Sequence, residues 1–144
     1  FVDRLGDTFR WKGENVSTEE VESVINIFEE IDMCSVYGVL IPQTEGRAGM
    51  VSLHKKSDKI FDFKGFLMYL KKYLPNYAIP KFIRIIDGFD FTATHKIQKV
   101  KLKKEGYNVN ELNDDILVLL PKSSEYISLT KDVYQEISEG KYPF

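Results

Sequence analysis

The chemistry open to this chain rests on lysine and arginine rather than on nucleophiles or metal ligands. Arg4, Arg10 and Lys12 lie close together near the start, interleaved with Gly6 and Gly13. Cations on a segment that can turn tightly are suited to meeting an anion, because glycine has no Cβ to hold a ligand away. A second group, Lys96, Lys99, Lys101, Lys103 and Lys104, follows the loop that ends at His95. Such a cluster can hold phosphate groups, an anionic lipid surface or nucleic acid. Acidic residues elsewhere and the lack of interleaved aromatic residues make nucleic acid the poorest fit. His54 and His95 have no Cys or carboxylate cluster at ligand spacing, so no protein-built metal site is expected. Neither a serine nucleophile motif nor a phosphate-binding P-loop occurs.

The elements that must position these residues follow from periodicity and caps. At 144 residues, 43% hydrophobic and 29% charged, the chain has the composition of one soluble globular domain. A net charge of -2 gives no global attraction to nucleic acid or an anionic membrane. One cysteine, Cys34, excludes an internal disulfide framework and suits a reducing, cytoplasmic setting. No apolar run approaches the ~20 residues of a spanning helix. Thr8 to Val16 reads as two short strands around Lys12-Gly13. Ser17 with Glu20 makes a capping box, and Val21, Val24, Ile25, Phe28 and Ile31 fall on one helical face. Cys34 to Ile41, ended by Pro42, is a buried strand, and Gly49 to His54 returns as a second.

Phe63, Phe66, Leu67, Leu70 and Leu74 mark a second helix that stops at Pro75, ahead of a third strand at Lys81 to Ile86. Asp87 to His95 has no apolar period and reads as a loop, and Lys96 to Gly106 as a short helix. Ile116 to Leu120 reads as an extended segment. Leu129, Val133, Tyr134 and Ile137, with Thr130 as cap and Gly140 as stop, predict a last helix. The expected fold is α+β: a small sandwich whose central, mostly antiparallel sheet has three strands, flanked by helices and preceded by a short β-hairpin.

Several stretches carry a resemblance. Asp3-Arg4-Leu5-Gly6-Asp7-Thr8-Phe9-Arg10-Trp11-Lys12-Gly13-Glu14-Asn15-Val16 resembles the opening motif G-R-x-D-D-x-I-K-x-x-G-x-x-I of the C-terminal domain of acyl-CoA synthetases, adenylation domains and luciferases. Its wording is closer to one branch, the fatty acid transport proteins, which are also very-long-chain acyl-CoA synthetases. Val36 to Met50 is similar to the branch's V-Y-G-V-x-I-P-x-x-E-G-R-A-G-M segment, and the last helix to its Y-x-x-I-x-x-G tail. Leu74-Pro75-Asn76-Tyr77-Ala78-Ile79-Pro80 is another superfamily feature. Thr92-Ala93-Thr94-His95-Lys96-Ile97-Gln98-Lys99 aligns with the late motif P-x-T-x-S-G-K-I-x-R, read T-G-T-F-K in the branch. Ala93 and His95 are departures from it.

The resemblance implies a C-terminal lid domain over residues 1–144, whose first residues would lie in the middle of a longer protein. Residues 1–7 would be hinge and linker, 8–16 hairpin, 17–106 core and 107–144 a C-terminal extension. The N-terminal adenylation domain of the same polypeptide would be its partner. The full enzyme would join a long- or very-long-chain fatty acid to coenzyme A with ATP, through an acyl-adenylate. Lys96 would be the catalytic lysine of adenylation, and Arg4 would contact the nucleotide. Gly6 would be the hinge, and Lys12, Gly13 and Glu14 would border the CoA channel. Mg2+ would arrive with ATP and be held mainly by the other domain. A bile-acid, carnitine-type or aryl-CoA ligase, or a non-catalytic scaffold, would share the same fold. Contact of the intact protein with the cytoplasmic membrane face stays open.

Overall fold

The computed structural model describes residues 8–44, 46–56, 61–87, 99–142 and 144. It opens with β1 (Thr8–Trp11) and β2 (Glu14–Ser17), paired antiparallel from Thr8↔Ser17 to Trp11↔Glu14. Ser17 caps α1 (Thr18–Ile27), its side-chain oxygen accepting the Glu20 N–H at 3.4 Å. Ile31 shares the apolar pattern of α1 but opens the strand β3 (Ile31–Leu40), because the backbone turns extended at Phe28. β4 (Arg47–Lys55) returns antiparallel along β3.

Asp62 caps α2 (Phe63–Tyr73) by accepting the Gly65 N–H at 2.9 Å. Lys71 and Lys72 sit in its last turn, where cations complement the helix dipole. The helix ends before Pro75, and a 3₁₀ turn (Asn76–Ala78) leads into β5 (Phe82–Ile85). There follow α3 (Lys99–Glu105), β6 (Asp115–Val118), β7 (Ile127–Ser128) and α4 (Lys131–Ser138). Thr130 caps α4, accepting the Val133 N–H at 3.1 Å.

Among the described residues the central sheet has five strands in the order β3-β4-β5-β6-β7, where the sequence suggested three. The difference arises past residue 107. β6 pairs with β5 from Phe82↔Val118 to Ile85↔Asp115, and β7 adds a short rung through Leu117↔Ser128 and Val118↔Ile127. Four-residue and two-residue strands carry too little local pattern to be assigned without their partners. Among the described strands only β4–β5 is parallel, so the sheet is mixed but mostly antiparallel.

Side chains alternate across the sheet, which sorts the layers. On one face lie Cys34 and the Gly38–Gly49 pair, covered by α1 and by the hairpin. α2 packs on α1 there, with Phe28 edge-on to Phe66 at 5.1 Å and the Tyr69 hydroxyl donating to the Val24 carbonyl at 2.6 Å. The other face carries Tyr37, Ser52, Phe82 and Arg84. Tyr37 and Ser52 hydroxyls share a 2.6 Å hydrogen bond, and Phe82 stacks flat on Tyr107 at 4.0 Å. The chain beyond α3 covers this face. Among the described residues no helix is long and apolar enough to cross a membrane.

Burial pushes the Tyr37 hydroxyl up to about 12 from an ordinary 10.0, and the Cys34 thiol up to about 12 from 9.0. Burial also raises Tyr107 and Tyr126. Each group holds its proton more tightly folded than unfolded, so its contribution is complete below the unfolded value and is lost as pH rises through the folded one. Melting temperature should therefore stay level from about pH 7 to 9 and fall steeply above about pH 10. A melting point that held through about pH 12 would contradict this burial.

Candidate functional site: a docked hairpin and an anchored lysine segment

The hairpin turns at Lys12 and Gly13, with φ of 50° and 86°. Positive φ at both central residues matches the right-handed twist of the two strands. Nothing lies within 4 Å of where a Gly13 Cβ would be, so backbone conformation, not crowding, calls for glycine. The Arg10 guanidinium folds back over the turn, donating to the Gly13 carbonyl at 3.1 Å and to Asn15 Oδ1 at 3.3 Å. The sequence suggested a cation reaching outward there; Arg10 instead braces the turn. Lys12 and Glu14 are exposed, with the Lys12 ammonium 5.3 Å from the Trp11 ring centre. Lys81 lies near enough for charge to be felt: its pKa is lowered by burial first and by Lys12 second. A groove of about 350 Å³ beside Lys12 is bordered by Pro42, Gln43, Gly140, Tyr142 and Phe144.

This hairpin is fastened to the body rather than free. Phe9, Trp11 and Val16 are buried, and Trp11 bridges to Gly46. Phe9 fills the space that Gly38 and Gly49 leave on the sheet: a Cβ at Gly38 would stand 2.8 Å from Phe9 Cβ and 3.0 Å from Arg47 Cβ. Sequence reading treated Gly38 and Gly49 as ordinary strand residues. The signal available was two glycines inside β-branched runs, which often mark close approach of another segment.

Lys96, Arg4 and Gly6 lie outside the described residues, so the structure does not place them. It does describe the ground on which the Lys96 segment ends. Lys99 opens α3, and its ammonium sits 2.9 Å from Glu22 Oε2 on α1 and 3.3 Å from Thr18 Oγ1. The same Glu22 oxygen accepts the Val36 N–H of β3 at 2.8 Å. At the other end of α3, Glu105 Oε1 is 2.8 Å from Arg84, which also meets Asp114 at 2.6 Å. Burial acts to lower the Arg84 pKa, and the two carboxylates outweigh it, leaving the guanidinium raised.

The lysine cluster read from sequence is thus divided. Lys99 turns inward to Glu22, while Lys103 and Lys104 border a groove of about 580 Å³ with Arg47, Leu40 and Tyr107. Glu22 joins three elements, α1, β3 and α3. Its partner was hidden because the pairing is remote in the chain. Among the described residues no group of three His, Cys, Asp or Glu could hold a metal ion.

No family model matches the chain. Over 142 residues, 99% of this chain, it is 44% identical to long-chain fatty acid transport protein 5 of Mus musculus, of which it spans 21%. Over 143 residues, 99% of this chain, it is 39% identical to a medium/long-chain-fatty-acid–CoA ligase of Mycobacterium tuberculosis, spanning 24%. The chain is homologous to fatty acid transport proteins and fatty-acid–CoA ligases. It spans under a quarter of either of these two relatives.

The fold of this transport-protein homologue is shared with solved ligases. A fatty acyl CoA synthetase of Mycobacterium tuberculosis matches at TM-score 0.63 and 24% identity, over 71% of this chain and 20% of that one. An anthranilate CoA ligase in complex with anthranoyl-AMP matches at TM-score 0.65 and 23% identity, over 70% and 20%.

Trp11 is the single tryptophan, so its emission reports hairpin docking directly. Gly38→Ala should shift that emission to the red and destabilise the homologue by about 1–3 kcal/mol, because the neighbours of the new methyl are Cβ atoms and a ring carbon rather than a flexible tip. Unchanged emission and an unchanged denaturation midpoint would contradict the Phe9 socket.

Proposed function

We propose that this chain is the C-terminal lid of a long- or very-long-chain fatty acyl-CoA synthetase, joining fatty acid to coenzyme A through an acyl-adenylate at the expense of ATP. The observation that carries the proposal is homology along 99% of the chain both to a fatty acid transport protein and to a fatty-acid–CoA ligase. The lid works against an N-terminal adenylation domain of the same polypeptide. That domain would hold the acid, most of the adenylate site and the Mg2+ that accompanies ATP. The intact enzyme would act in the cytoplasm or peripherally at the cytoplasmic membrane face.

Lys96 is the catalytic residue in this proposal. Adenylation brings a carboxylate onto an anionic α-phosphate, and negative charge gathers around the phosphorus. A compact ammonium set between the reacting oxygens offsets that repulsion where water is excluded. Electrostatic donors in such positions are worth ~3–4 kcal/mol, a factor of hundreds or more in rate. The second half-reaction needs room at the same carbonyl for the thiol of coenzyme A. A swing about Gly6 would withdraw Lys96 and bring up the hairpin, with Arg4 held to the nucleotide. Lys12, Gly13 and Glu14 would then border the pantetheine channel. The open space above Gly13 and the exposed Lys12 support that part.

In the full-length protein, Lys96→Ala should slow fatty-acid-dependent ATP–pyrophosphate exchange by about a hundredfold or more. Thioester formation from supplied acyl-adenylate should stay within a few fold. Unchanged rates in both halves would replace the catalytic lid with a scaffold of the same fold. A substrate panel on the full-length protein separates fatty acids from bile, carnitine-type and aryl acids.

A further inference from the structure

We propose that the groove at the C-terminal end of α3 binds a phosphomonoester carried on an apolar body. Its volume, about 580 Å³, lies in the range of small-molecule sites. Three cations border it: Arg47, the first residue of β4, and Lys103 and Lys104 in the last turn of α3. All three are exposed, and among the described residues none has its side chain held in an ion pair or hydrogen bond. Complementing the dipole of α3 accounts for the two lysines. It does not account for Arg47, which a different element brings to the same groove. Glu105, the acidic residue in the described lining, is engaged by Arg84 at 2.8 Å.

Beside these charges the wall is apolar. Leu40 is the cross-strand partner of Arg47 and stands 62% exposed, which sets an uncovered aliphatic side chain next to a guanidinium. Tyr107 and Tyr134, edge to face at 5.8 Å, add aromatic surface. The Tyr107 hydroxyl is engaged by the Leu40 carbonyl at 2.8 Å, so the ring is what it offers the groove. A carboxylate brings one charge and two oxygens, which Arg47 alone would satisfy. A phosphomonoester brings about two charges and three oxygens near neutral pH, a match for a guanidinium with two ammonium groups. The body attached to that phosphate would lie on Leu40 and the tyrosine rings. Pro42 borders both this groove and the smaller one beside Lys12, so the occupant would sit on the hairpin side of the lid. The site stands whether or not Lys96 serves adenylation.

The test titrates the full-length protein with dihexanoyl phosphatidate, a soluble phosphomonoester with apolar arms, and reads binding by calorimetry. Arg47→Gln, Lys103→Gln and Lys104→Gln combined should weaken binding about tenfold or more, since hydrogen bonds between charged groups are the strong ones. The three side chains are exposed and unpaired among the described residues, so the variant should fold as the parent does. Removing the same charge from α2, by Lys64→Gln, Lys71→Gln and Lys72→Gln, should change affinity by less than about twofold. Leu40→Ser should weaken phosphatidate about threefold to tenfold and leave inorganic phosphate within about twofold, because only the apolar body touches that side chain. Flotation with phosphatidylcholine vesicles, with and without phosphatidate, identifies the source. Phosphatidate-dependent flotation that the groove variant loses assigns a membrane headgroup, whereas soluble binding without flotation assigns a free phosphomonoester. No binding of phosphatidate, binding that the groove variant leaves unchanged, or an equal loss in the α2 variant overturns the proposal.

Discussion

A ten-residue strand at the rim of a sheet leaves a row of backbone donors and acceptors without a neighbouring strand, and among the described residues β3 is such a strand. Open edges of this length invite pairing with other chains unless something covers them. Here the covering is made of side chains. Glu22 takes the Val36 N–H, and the Tyr107 hydroxyl donates to the Leu40 carbonyl at 2.8 Å. Both groups come from elements flanking α3 in space or sequence, so the protection of the edge and the placement of that helix are one event.

Helix α3 draws support from both ends of its described span, Lys99–Glu105. It is fixed to α1 at its first residue and to the buried Arg84 at its last. The Arg84 end is the costlier arrangement. A guanidinium 9% exposed must be matched by carboxylates or it destabilises the fold, and Glu105 and Asp114 both point to it. Removing one partner of such a pair costs about 3–5 kcal/mol. The two carboxylates thus fix where α3 ends and where the approach to β6 begins, from one side chain on β5.

How far the sequence discloses this depends on whether the determinants are local. Ser17 and Thr130 as caps, Pro75 as a stop and the apolar stripe of α2 are each decided within a few residues, and each is found where the pattern put it. Ile31 misled because a helical period and the first residue of a strand coincide there. β6 and β7 were incompletely legible for a different reason: their stability comes from pairing with β5 and with each other. The candidate site divides the same way. The Lys12-Gly13 turn is announced by its residues, whereas the Phe9 socket needs Gly38 and Gly49 brought together by strand pairing. Lys99 looked like one of several lysines because charge type is visible in a sequence and charge partners are not.

The sheet also ties the hairpin and the start of α3 to one body. The hairpin is fastened through Phe9 to β3 and β4 and through Trp11 to Gly46, and the start of α3 is fastened through Lys99 and Glu22 to β3 and α1. Both fastenings meet on the same edge strand. In the proposed two-orientation cycle, the hairpin and the start of α3 keep these fastenings as the body turns. The proposed motion then falls on backbone angles outside these fastenings, as hinge motions require. A loose hairpin or an unanchored lysine would need its own ordering in each orientation, and that entropy would be charged to every catalytic cycle.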